Sequence, residues 1–164
     1  MSSTHSTKQK QVYFKAYKEL EQLEKALKYL KEENTAQIQV SVLGKVSQFH
    51  SDRDIEYFQD TTIMKSYWKD LSGKSVNFGI FYNPESGSVF IVGSLATIFL
   101  HKINGKSLAT LSSGPYGIFR GIGVTEKKTT NYLKLLNCGH YLLILRGNED
   151  KIPSLETLIN EATS

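Results

Sequence analysis

Residues Tyr141–Leu145 read Tyr-Leu-Leu-Ile-Leu, five apolar positions with no polar one between them. A strand with one wet face alternates apolar and polar residues, so an unbroken run asks for cover on both faces. The residues before it predict a complete helix, with Thr125 as cap, Glu126 in the first turn and Gly139 ending it. Near the other end of the chain, Val12, Phe14 and Ala16 alternate with Tyr13, Lys15 and Tyr17, the period of a half-buried strand. Leu20, Leu23, Leu27 and Leu30 then recur at helical spacing, with Glu21–Lys25 and Glu24–Lys28 as i,i+4 pairs on the outer face. This stripe is too short for a coiled coil, so it predicts packing on a sheet. Ile38, Val40 and Val42 alternate with Gln37, Gln39 and Ser41 and complete a strand, helix, strand unit. Such units set their strands parallel with a right-handed crossover.

The middle of the chain is less regular. Residues 51–71 follow a helical face loosely through Ile55, Phe58, Ile63, Tyr67 and Leu71. Strands at 76–82 and 88–92 flank the turn formers Asn83-Pro84-Glu85-Ser86-Gly87, which predicts a hairpin. A short helix over 95–103 and a small segment at 107–120 follow, and the tail from 152 to 162 places Leu155, Leu158 and Ile159 on one side. These elements predict an α+β sandwich of ferredoxin-like type, with strands near 12–17, 37–43, 88–92 and 141–145. Helices 18–33 and 125–137 then share one face, and residues 141–145 lie at a sheet edge. Residues 1–11 read as a polar tail, 12–164 as one domain, and 46–120 as an inserted middle segment.

Composition changes this picture only in part. A chain of 164 residues with 40% hydrophobic content is ordinary for one soluble domain. The single cysteine, Cys138, excludes an internal disulfide framework, and the polar N-terminus lacks the apolar segment of a secretory signal. The expected compartment is the cytoplasm. The net charge of +4 is unevenly placed, since residues 65–146 carry ten Lys or Arg against Asp70, Glu85 and Glu126, a local +7. Clustered positive charge attracts nucleic acid or an anionic membrane surface, although scattered lysines more often form a solvated face. The longest uncharged apolar run, 86–100, is shorter than the roughly 20 residues of a membrane-spanning helix.

Several stretches carry a resemblance that extends from about residue 12 to 150. They are Ser41-Val42-Leu43-Gly44-Lys45, Met64-Lys65-Ser66-Tyr67-Trp68-Lys69, Val92-Gly93-Ser94-Leu95, and Gly121-Ile122-Gly123-Val124 leading into Asn131-Tyr132 and the strand Tyr141 to Gly147. In this order and spacing the chain resembles a family of small bacterial proteins of unknown function labelled general stress or heat-induced stress proteins. The resemblance implies ferredoxin-like halves around a glycine-rich, membrane-seeking middle. Here Lys69, Asp70, Lys74, Ser75, Asn77, His101, Lys102 and Lys106 break that middle up, which points to a soluble member. Gly123-Val124-Thr125 also stands where the family has a Gly-Ile-Pro motif. No catalytic residue follows from the resemblance.

Candidate chemistry is sparse. His5, His50, His101 and His140 lack metal-ligand spacing, and Cys138 with His140 gives two ligands where a zinc site needs three or four. Asp52, Asp54 and Glu56 imitate an acidic metal loop without its glycine and distal glutamate, and helix capping explains them better. Ser112, Ser113 and Gly114, with Arg120 nearby, form a turn before a helix start that suits a phosphate or nucleotide, against the plainer reading of a close-packing turn. The basic and aromatic pattern of an RNA-binding sheet is missing from Tyr141–Leu145, which argues against nucleic acid. The sequence therefore predicts a non-enzymatic, stress-related sensing or interaction module without cofactor or metal. Its expected partners are a second copy, through Tyr141, Leu143, Ile144 and Leu145, or a protein or membrane surface.

Overall fold

A computed structural model describes residues 10–33, 37–53, 61–73, 76–111, 114–148 and 151–163. The elements run β1 (Lys10–Tyr17), α1 (Leu20–Glu32), β2 (Gln39–Lys45), α2 (Val46–Asp52), α3 (Thr62–Ser72), β3 (Phe78–Asn83) and β4 (Gly87–Gly93). They continue through α4 (Ala96–Phe99), β5 (Lys102–Ile103), β6 (Lys106–Ser107), a 3-10 turn at Leu108–Thr110, α5 (Gly114–Gly121), α6 (Glu126–Asn137), β7 (Tyr141–Asn148) and α7 (Ile152–Thr163). β1, β2, β3, β4 and β7 form one antiparallel sheet in the order β1-β7-β2-β4-β3.

The α+β class agrees with the sequence, but the strand order corrects the expected arrangement. β7 does not lie at an edge. It sits between β1 and β2, pairing with β1 from Lys10↔Asn148 to Tyr17↔Tyr141 and with β2 from Gln39↔Arg146 to Leu43↔Leu142. β1 and β2 therefore run parallel, as a strand, helix, strand unit requires, with β7 inserted between them. The hairpin β3–β4 extends the same sheet, because β4 pairs directly with β2 from Ser41↔Gly93 to Lys45↔Val89. Residues 46–120 thus supply two of the five strands. The Asn83 side chain closes the hairpin by accepting from the Glu85 and Ser86 amides at 2.9 and 3.3 Å.

The two faces of β7 explain why helices sit on both sides. Tyr141, Leu143 and Leu145 point into one core with Leu23, Leu27, Leu30, Phe49, Trp68, Phe90 and Ile159. Leu142 and Ile144 point into a second core with Phe14, Leu43, Ile91, Phe99, Phe119 and Leu136. The first core belongs to α1, α2, α3 and α7, and the second to α4, α5 and α6. The expectation that helices 18–33 and 125–137 share a face is therefore corrected, since a strand apolar on both sides needs one on each.

The expected interface is corrected on the same ground. Tyr141, Leu143 and Leu145 are fully buried and Ile144 is 1% exposed within a single chain. Leu143→Lys should therefore cost folding stability, about 3 kcal/mol or more, by removing apolar burial and stranding a charge. Urea unfolding checks this. A variant of unchanged stability but altered molecular mass would restore the interface reading.

Buried tyrosines give the fold a pH limit. The Tyr141 hydroxyl donates to Asp52 Oδ2 at 2.6 Å, and burial first, then this bond to Asp52, raises its pKa. Burial, then Glu156, pushes Tyr13 up to about 12, and burial is also the leading cause at Tyr67. With folded values above the ordinary 10.0, the unfolded chain loses these protons first. Their contribution is fully present below pH 10 and is lost as pH rises from about 10 through 12 and beyond. Urea midpoints across that range should fall, and more shallowly in Tyr141→Phe. An identical slope in the variant would contradict this assignment.

Candidate functional site

Among the described residues, the sequence-derived candidates Gly114 and Arg120 do not assemble. Ser112 and Ser113 lie outside the described residues. Gly114 opens α5, where a Cβ would meet the Ala109 carbonyl oxygen at 2.7 Å and Asn83 Nδ2 at 3.2 Å, so close packing accounts for it. Arg120 is in the last turn of α5, and its Nη1 donates to the Val124 carbonyl at 2.9 Å. Helix geometry separates residues 114 and 120 by about 9 Å along the axis. The cation expected beside the turn is therefore at the other end of the helix. Cys138 caps the C-terminus of α6, and among the described residues no three metal-ligating side chains converge.

The structure instead draws attention to the outer edge of β1. Val40 C=O accepts from the Ser94 amide on the β4 side, which directs Gln39, Ser41 and Leu43 toward β7. Carried across the register, this turns the backbone groups of Tyr13, Lys15 and Tyr17 toward β7 and those of Val12, Phe14 and Ala16 outward. A direct observation agrees: the Tyr132 hydroxyl, coming from α6, donates to the Phe14 carbonyl at 3.0 Å. The opposite edge, β3, packs against the turn at Leu108–Thr110.

A groove of about 880 Å³ wraps the β1 edge. One wall is Val124, Thr125, Lys128 and Tyr132 at the start of α6, and the other is Ile152 and Glu156 on α7. Lys10 to Phe14 and Arg146 complete it. Thr125 sets the α6 wall as the sequence predicts, its side chain accepting from the Lys128 amide at 3.3 Å. Arg146 Nε is buried without a hydrogen-bond partner among the described residues. Lys15, whose pKa burial lowers, donates to Asn160 on α7 and faces Glu156.

Two other hollows are less suited to a ligand. One, of about 620 Å³, lies between the β3–β4 turn and α5 and α6, where two of its polar groups, Ser86 and Asn137, bond to each other and Glu85, Tyr116, Thr130 and Lys134 also line it. The other, about 130 Å³ beside α1 and α3, is lined mainly by Leu27, Leu30, Val40, Val42, Leu71 and Val92.

Sequence reasoning missed the groove because Lys10, Lys128 and Arg146 are far apart along the chain and meet only once β7 lies beside β1. The available signal was lysine on a short alternating strand, Lys10 and Lys15, a common device on sheet edges. No protein-family model, curated protein or solved structure matches the chain.

Amide hydrogen exchange tests the edge directly. In the isolated protein the Val12, Phe14 and Ala16 amides should exchange much faster than those of Tyr13, Lys15 and Tyr17. Uniform protection along β1 would show that the edge is already paired.

Proposed function

We propose that this protein is an interaction module rather than an enzyme, and that it binds an extended segment of a partner along the outer edge of β1. The observation that carries this reading is the outward backbone alternation of Val12, Phe14 and Ala16, with Val12 and Phe14 inside the groove. Among the described residues, both sheet faces carry the chain's own helices, which leaves little apolar sheet surface for face-to-face docking. An edge strand offers main-chain donors and acceptors to an added strand, here the outward groups of Val12 and Ala16 and the Phe14 amide, since the Phe14 carbonyl already accepts from Tyr132, and flanking pockets select its side chains. The resemblance to stress proteins adds a setting for such a module and no residue to it.

Selection of displayed random peptides against the full chain tests the proposal. Val12→Pro removes one outward donor and leaves the bonds to β7 in place, which an edge strand tolerates. Selected peptides should lose about tenfold or more in affinity for this variant, whose circular dichroism should match the parent. Ala16→Pro gives an independent check should Val12→Pro unfold. Peptides that bind both variants as well as the parent would overturn the reading.

A further inference from the structure

The walls of the groove differ in charge. Lys10, Val12 and Phe14 point to the α6 side of the sheet, as does Arg146, which is paired across from Val12. Lys128 stands on the α6 wall itself, so three cations border this side. On the α7 side the lining is Gln11, Tyr13, Ile152 and Glu156, and Lys15 on the same face of β1 is engaged by Asn160 and faces Glu156. Side chains of an added strand alternate between these two walls.

We propose that the groove binds an acidic extended peptide as a sixth strand on β1, with carboxylates toward Lys10, Lys128 and Arg146 and apolar side chains toward Tyr13 and Ile152. This rests on the reading of the β1 edge as the binding site, and it adds the chemistry of the partner. Carboxylates on the α6 side meet positive charge, and Arg146 has a buried Nε with no described acceptor. Acids on the α7 side would meet Glu156. A second copy is a poor occupant, because docking one β1 groove on another brings two basic walls together.

Fluorescence anisotropy with the full chain separates the outcomes. The probes are a peptide of alternating Glu and Val, the same peptide with Gln for Glu, the same with Lys for Glu, and a block peptide of equal composition with all Glu before all Val. The alternating acidic peptide should bind about tenfold or more tightly than the Gln version, and the Lys version should bind weakest. That advantage should shrink as salt is raised and disappear in Lys10→Glu/Lys128→Glu, while Val12→Pro should abolish binding of every alternating peptide. Equal binding of the Glu and Gln peptides, both lost in Val12→Pro, overturns the acidic partner and leaves the edge reading intact. Block peptide or inorganic tripolyphosphate binding as tightly as the alternating acid, and unaffected by Val12→Pro, would mean a small-anion site and overturn the proposal. A dimer in light scattering that Val12→Pro converts to monomer assigns the edge to a second copy and overturns it as well. If no peptide binds, both readings fall.

Discussion

A strand that is apolar at every position must be buried on both sides, and that requirement at Tyr141–Leu145 organises this molecule. Each of the five side chains is at most 1% exposed. Full burial of a large apolar side chain contributes about 1.5 to 3 kcal/mol, so the strand's five together contribute about as much as the net stability of a typical domain. An edge position would leave its backbone half unpaired. Between β1 and β2 it is paired on both sides, and the alternation of its side chains divides the helices into two layers.

The next constraint is where β2 and β4 cross into the segment that follows. Gly93 has φ 104°, and a Cβ there would lie 2.0 Å from the Val40 carbonyl oxygen, so a side chain is excluded on two counts. The turn is held by the Ser94 amide on the Val40 carbonyl and by Ser41 Oγ, which accepts from the Leu95 amide at 2.9 Å and lies 3.1 Å from Ser94 Oγ. Gly44, on the same strand, leaves room for the Phe90 and Tyr141 rings. Two stretches distant in the chain, Ser41 to Lys45 and Val92 to Leu95, thus meet in space and hold this turn. Trp68 from a third stretch is fully buried against Phe49, Tyr67 and Phe90.

Local order was legible and long-range order was not. The α1 leucine stripe, the Thr125 cap, the Asn83 hairpin and the two-sided strand depend on residues a few positions apart, and each stands where the sequence places it. Strand order depends on closing loops of about a hundred residues, for which alternation gives no rule: a strand of Tyr-Leu-Leu-Ile-Leu fits any interior position. The expected edge, the shared helix face and the interface at Leu143 and Ile144 all failed at that one step. Arg120 failed differently. Its nearness to Gly114 in sequence became opposite ends of a helix once α5 formed.

The same step decides where recognition chemistry can reside. With both faces covered largely by the chain's own helices, recognition on the sheet falls to its edges, and β1 is the edge bordered by the groove of Lys10 to Phe14, Lys128 and Arg146. An open edge invites pairing with any strand, including a copy of itself. Lys10 and Lys15 on the strand, with Lys128 and Arg146 beside it, make that pairing unfavourable for a like-charged copy. Repulsion of copies and attraction of acids are one electrostatic property. On the proposed reading, a basic edge disfavours pairing with a copy and at the same time restricts which extended chains can complete the sheet.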